Sequence, residues 1–208
     1  CPTANGGQTM TDAVTESYKI IDIAKKMNGE DSIMPKDNAR YHFEMPGSVQ
    51  GWQVNVSNNL NKYTKISNKE GHSDKGTRSL KISYDKVSPG VKSVVYVDTF
   101  FPEEVKNLEG FAKKVFFHYN FIACPLITTG QKILASIKAD SNNEKPVSCN
   151  LFIKIYEEED DVITIRGEEI SIMPGSNSDL SWTVPDTEGN PITQIGIEIQ
   201  SSETTAGN

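Results

Sequence analysis

Beyond position 40 the chain alternates apolar and polar residues. Leu80, Ile82 and Tyr84 take every second position, as do Ile133, Ala135, Ile137 and Ala139, and again Cys149, Leu151, Ile153 and Ile155. Ile195, Ile197 and Ile199 form a fourth row, interleaved with Gln194, Gly196, Glu198 and Gln200. A period of two sends successive side chains to opposite faces of an extended chain, so each row predicts a half-buried strand. Val115–Phe121 is apolar on both phases, the pattern of a strand covered on both faces. Turn chemistry punctuates these runs: Ser88-Pro89-Gly90, Thr129-Gly130, Ser141-Asn142-Asn143, Pro174-Gly175 and Glu188-Gly189-Asn190-Pro191. About nine or ten short strands, with no helices between them, predict an all-β fold: an antiparallel β-sandwich over residues 41–200.

The first forty residues read differently. Met10, Ala13, Val14, Ile20, Ile21, Ala24 and Met27 recur at three- and four-residue spacing, which predicts a short N-terminal helix from Thr9 to Met27. Thr9 with Asp12 has the spacing of a capping box, and Gly29 suits the C-terminal cap. Residues 28–40 are polar and read as a linker, so 1–40 form a helical lead-in or the end of a preceding helical domain. The polar stretch 201–208 reads as a frayed tail.

Composition narrows the partners. The chain of 208 residues is long enough for a sizeable core and carries a net charge of −7. Its basic residues cluster only in pairs such as Lys25-Lys26 and Lys113-Lys114, which argues against nucleic acid or an anionic bilayer as partner. No apolar run approaches the roughly 18 residues needed to span a membrane as a helix. Three cysteines (Cys1, Cys124 and Cys149) do not make a disulfide framework. Cys124 and Cys149 read as buried thiols or as one bridge, the former favoured. Cys1 is compatible with a lipid-carrying processed N-terminus or with a fragment boundary. The expected setting is secreted or cell-surface, and the expected state a monomer.

Catalytic signatures are missing. Gly47-Ser48-Val49-Gln50-Gly51 places its Ser next to the first Gly and so fails the spacing of a nucleophile elbow. Phosphate-cradling loops, the HExxH zinc motif and EF-hand loops do not occur, and the reading is of a chain that is not an enzyme by itself. The acidic run Glu157–Asp161 reads either as a calcium loop or, preferentially, as a solvated hairpin tip. Isolated strand acids (Glu44, Asp98, Glu198) read as structural or metal-linked. Trp52, Phe117, Phe121 and Trp182 read as core. Tyr96 and Tyr156 fall on the less apolar phase of their strands. With His118, Lys154 and Arg166 they would form a concave polar-aromatic ligand-binding face.

Three stretches carry a family resemblance. Tyr41-His42-Phe43-Glu44 followed by Gly51-Trp52 is similar to the opening of many carbohydrate-binding modules, and Gly76-Thr77-Arg78-Ser79-Leu80-Lys81-Ile82 resembles their second strand. Leu180–Asp186, with Gly189, Pro191-Ile192 and Ile195–Glu198, resembles the closing strands of the sandwich region behind bacterial ADP-ribosylglycohydrolase-like enzymes. The resemblance implies a galactose-binding-like jelly roll in which Glu44 and Glu198 would hold a structural calcium between the first and last strands. It also implies an accessory module that binds a glycan or related ligand for a larger secreted enzyme. The alternative is a structural module that packs on its own ADP-ribosylglycohydrolase-like catalytic domain and takes no small ligand.

Overall fold

A computed structural model describes residues 3–4, 8–9, 41, 43–54, 63–71, 76–100, 102–118, 127, 129–157 and 159–208. The chain divides into two compact units, Cys1–Tyr41 and His42–Asn208. In the first, β1 (Thr3–Ala4) and β2 (Gln8–Thr9) pair antiparallel, so Thr9 is extended. The rest of the predicted helix, and the predicted linker, lie outside the described residues.

The second unit is a β-sandwich whose described strand pairings are all antiparallel. Its strands are β3 (Gln53–Val54), β4 (Thr64–Glu70), β5 (Arg78–Val87), β6 (Ser93–Asp98), β7 (Lys132–Lys138), β8 (Val147–Tyr156), β9 (Val162–Arg166), β10 (Ile170–Ile172), β11 (Asn177–Thr183), β12 (Ile192–Gln200) and β13 (Thr205–Gly207). One sheet has six strands in the order β10-β8-β12-β6-β3, with β9 also on β8. Against it lie the three strands β13-β5-β4 and the pair β11-β7.

Each alternating row found in the sequence lies on a strand, and its apolar phase builds the interior. Val147, Cys149, Leu151, Ile172, Ile197 and Ile199 come from the six-stranded sheet. They meet Ile82, Tyr84 and Val87 of β5, the Ile133–Ala139 row and Leu180 of β11. Burying an aliphatic side chain of this size contributes about 1.5–3 kcal/mol, so this interlocked set dominates the sandwich's stability. Trp182 packs against the same core, its indole lying so close to the backbone that a Cβ on Gly167 would stand 2.9 Å from the ring. That close approach falls where β9 gives way to β10. Both strands run along the same edge of β8, and residues 167–169 bulge between them.

The thiol of Cys149 is free and buried. Burial, then the negative charge of Glu169, pushes its pKa up to about 12. A buried neutral thiol is a poor nucleophile. Alkylation followed by peptide mapping should therefore leave the Cys149 peptide unmodified in native protein and label it in denaturant. Rapid native labelling would contradict this packing. Cys124 lies outside the described residues.

Two helices interrupt the strands between β6 and β7: α1 (Pro102–Lys106) and α2 (Gly110–His118). The expectations of an uninterrupted strand series and of a strand over Val115–Phe121 are both corrected here, since Val115–His118 close a helix. A short apolar run has no period of its own to separate strand from buried helix. Ala112, Lys113 and Lys114, immediately upstream, are good helix formers and extend the helical turn that starts at Gly110. No helix among the described residues is long and apolar enough to cross a membrane.

Candidate functional site

The odd-numbered residues of β6, β8 and β12 face the core, so the even-numbered ones form the opposite face of the six-stranded sheet. Strand register arranges them in three rows. Gln53, Tyr96, Gly196, Phe152 and Arg166 stand side by side across five strands. Next to them run Asp98, Gln194, Lys154 and Thr164, and on the other side Val94, Glu198 and Asn150.

Gly196 lies at the centre of the first row. A Cβ there would stand 2.5 Å from the Phe152 ring and 2.6 Å from the carbonyl oxygen of Val95. The ring therefore lies over bare backbone, and Phe152 is fully buried. On the other side of Gly196, Tyr96 is half-exposed. Burial, then the neighbouring Asp98 carboxylate, raises the pKa of its hydroxyl, which stays protonated as a donor. Asp98 is held between two amides: Gln194 Nε2 donates to its Oδ1 at 2.8 Å and Gln53 Nε2 to its Oδ2 at 3.1 Å.

Glu198 is the other fixed carboxylate. Arg166 grips it with a two-point fork, Nε to Oε2 at 2.8 Å and Nη2 to Oε1 at 2.9 Å, and Lys92 Nζ donates to Oε2 at 2.8 Å. Burial works to raise its pKa, but the hydrogen bonds from Arg166 and Lys92 prevail and hold it below the usual carboxylate range. The fork crosses β8 to join β9 with β12.

Three of the sequence-predicted ligand residues, Tyr96, Lys154 and Arg166, thus share one face. Tyr156 shares their phase but is completely buried, which corrects the expectation that it faces outward. Its ring meets Phe100 edge-on at 6.0 Å and its hydroxyl donates to Asp160. Lys113 of α2 donates to the same Asp160 oxygen at 2.9 Å. Asp160 belongs to the acidic run read as a solvated tip. Glu159 and Asp161 of that run are exposed at the β8–β9 hairpin as expected, while Asp160 bonds back to the sheet with φ of 69°, a region an Asp tolerates better than most residues. The Tyr156 hydrogen bond, then that of Lys113, lowers its pKa. His118 closes α2, and its side chain lies outside the described set.

The two carboxylates expected to hold calcium are each engaged by protein donors. Glu198 is neutralised by two cations. Glu44 spends its carboxylate at the start of β5, accepting from Thr77 N at 3.0 Å, Thr77 Oγ1 at 2.7 Å and Arg78 N at 3.1 Å. Gly76 permits this approach, since a Cβ there would overlap the Glu44 carboxylate. The loop Phe43–Gln50 is gathered by an amide: Asn68 Nδ2 donates to the carbonyls of Phe43, Met45 at 3.2 Å and Ser48 at 2.9 Å. Oxygens already saturated by N–H and O–H donors, one set beside an Arg–Lys pair, do not fit a shared divalent ion. Among the described residues no group of three or more His, Cys, Asp or Glu is placed to hold a metal.

Sequence reading passed over Gln53 and Gln194 and read Asp98 as structural or metal-linked, outside the ligand-binding set. Their only signal was position: Gln194 stands on the polar phase of the Ile195–Ile199 row, and Gln53 follows Trp52.

No protein-family model matches the sequence, and no curated protein matches it. Solved structures do. A carbohydrate-binding module of the β-sandwich superfamily, described for its promiscuous specificity, aligns with a TM-score of 0.53 at 14% identity over 82% of this chain and 59% of its own. The CBM22-1 xylan-binding domain of Paenibacillus barcinonensis Xyn10C aligns with a TM-score of 0.51 at 9% identity over 80% of this chain and 85% of its own. The CBM22-1–GH10 modules of Clostridium thermocellum xylanase 10B, complexed with xylohexaose, align with a TM-score of 0.48 at 13% identity over 75% of this chain and 24% of theirs. The chain thus spans about a quarter of the length of the xylanase protein and 59% of the promiscuous module. At these identities the likeness is one of fold: the chain has the antiparallel β-sandwich architecture of carbohydrate-binding modules.

Proposed function

We propose that this chain is a non-catalytic carbohydrate-binding module, serving a larger secreted or cell-surface enzyme, that takes a glycan on the outer face of its six-stranded sheet. The observation that carries this reading is Tyr96, half-exposed beside an Asp98 carboxylate fixed by Gln53 and Gln194. An aromatic ring offers an apolar platform for a sugar face, and the amides and the tyrosine hydroxyl supply donors and acceptors for its hydroxyls. Because protein hydrogen bonds already hold these groups, binding costs little ordering of side chains. The xylan-binding domain of similar fold makes xylo-oligosaccharides the first ligands to try.

Calorimetric titration with xylohexaose and a panel of other neutral and acidic oligosaccharides tests the proposal. Wild-type protein should bind at least one of them, and Tyr96→Ala should weaken that binding by about tenfold or more, the loss typical of an aromatic anchor. Absence of binding across the panel, or binding indifferent to Tyr96, would overturn it. The module would then be read as a structural partner of its own catalytic domain.

A further inference from the structure

The charges on the outer face point to a more specific ligand class, an inference that rests on the carbohydrate-binding reading. On a chain of net charge −7, the centre of this face gathers three cations, Lys92, Lys154 and Arg166, with two carboxylates, Asp98 and Glu198, while towards its ends Glu169 accepts from Gln200 and Asp160 from Tyr156 and Lys113. Both carboxylates are satisfied by protein donors: Asp98 by two amides, and Glu198 by Arg166 and Lys92. Lys154 is different. It stands half-exposed in the row between Gln194 and Thr164, and no described residue accepts from its ammonium group. Arg166 lies diagonally across the β8–β9 ladder from it, about 7–8 Å away by the geometry of such pairs. Its Nε and Nη2 are engaged by Glu198, while its side chain is 49% exposed.

The face therefore has its acceptors committed and an ammonium to spare, beside an aromatic platform. We infer that it selects an acidic glycan: a sugar chain bearing a uronic acid whose carboxylate docks on Lys154, at the Arg166 side of the Tyr96 platform. A neutral sugar would leave the Lys154 ammonium without a counter-charge. A uronate would form a charge-assisted hydrogen bond, which outweighs one between neutral groups.

The test compares two titrants that share a backbone: xylotetraose, and xylotetraose carrying a single glucuronic acid branch. At low ionic strength the branched ligand should bind about tenfold tighter or more, the worth of one hydrogen bond to a charged group. The advantage should shrink in about 0.5 M salt, where exposed ion pairs are screened. Lys154→Gln should bring the ratio of the two affinities to within about twofold. Equal binding of both ligands by the wild type, or a ratio unchanged in Lys154→Gln, would overturn the acidic preference and leave the carbohydrate-binding reading standing. Binding of neither ligand would overturn both.

Discussion

Replacing Gly196 with Ala should destabilise the sandwich by about 2–3 kcal/mol, at the upper end of what overpacking costs. The added methyl would meet the Phe152 ring at 2.5 Å and the Val95 carbonyl at 2.6 Å. The ring has no room to swing, being 1% exposed, and the carbonyl belongs to the neighbouring strand of the same ladder. Urea denaturation should show a lower midpoint with an unchanged slope, the signature of lost stability rather than altered compactness. The double variant Gly196→Ala/Phe152→Leu sharpens the test, since a smaller side chain relieves part of the clash and should return part of the loss. A Gly196→Ala protein as stable as wild type would show that the ring does not lie over this backbone. The site is affected too, because Gly196 separates Tyr96 from Phe152 in the central row.

The second large effect is expected at Glu198. Glu198→Gln removes the charge from a side chain that is 6% exposed and leaves Arg166 and Lys92 facing a neutral amide. Breaking a buried ion pair from one side is costly, but the partners here are 49% and 33% exposed and water compensates them in part. A loss of about 1–3 kcal/mol follows. The pH dependence has a definite sign. The folded protein holds Glu198 below its ordinary pKa of 4.5, so the unfolded chain takes up the proton first. The contribution is present above pH 4.5 and is lost as pH falls through the lower folded value. Asp160, also lowered, titrates in the same direction, so the comparison is best made between wild type and Glu198→Gln in an Asp160→Asn background. Thermal melts at pH 7 and across the acid range should show the two proteins converging as pH drops. A constant gap at every pH would remove Glu198 as the source.

Much of the sandwich is legible in the sequence because its strands are half-buried. β7 and β8 carry an unbroken period of two, β5 carries it over Leu80–Tyr84 and β12 over Ile195–Ile199, and the turn residues between them fall where the chain reverses. What escapes is whatever depends on neighbours from elsewhere. Strand β4 reads TKISNKE, too polar to announce itself, yet Thr64 is buried and bonds Ser93 at 2.9 Å. Helix α2 hides in an apolar run too short to show its own period. Tyr96 and Tyr156 occupy the same phase and look equivalent, but only one remains accessible, because Phe100 and Asp160 close on the other. Glu198 looked like an ion ligand, since nothing in the local sequence says that register will bring Arg166 to it across the intervening strand β8. The amides of Gln53 and Gln194 have no sequence signature beyond their position and become meaningful only through Asp98.

The position of β12 carries a consequence for how the chain reaches this state. It lies between β8 and β6, although both precede it in sequence. While the polypeptide is still emerging, those two strands therefore wait with bare ladder edges, the kind of surface that invites association between nascent chains. Local hairpins such as β8–β9 can zip early, but the larger sheet closes only when Ile192–Gln200 arrives and completes two ladders in one step. Such late, non-local closure makes for slow assembly and ties the integrity of the outer-face rows to the arrival of one segment.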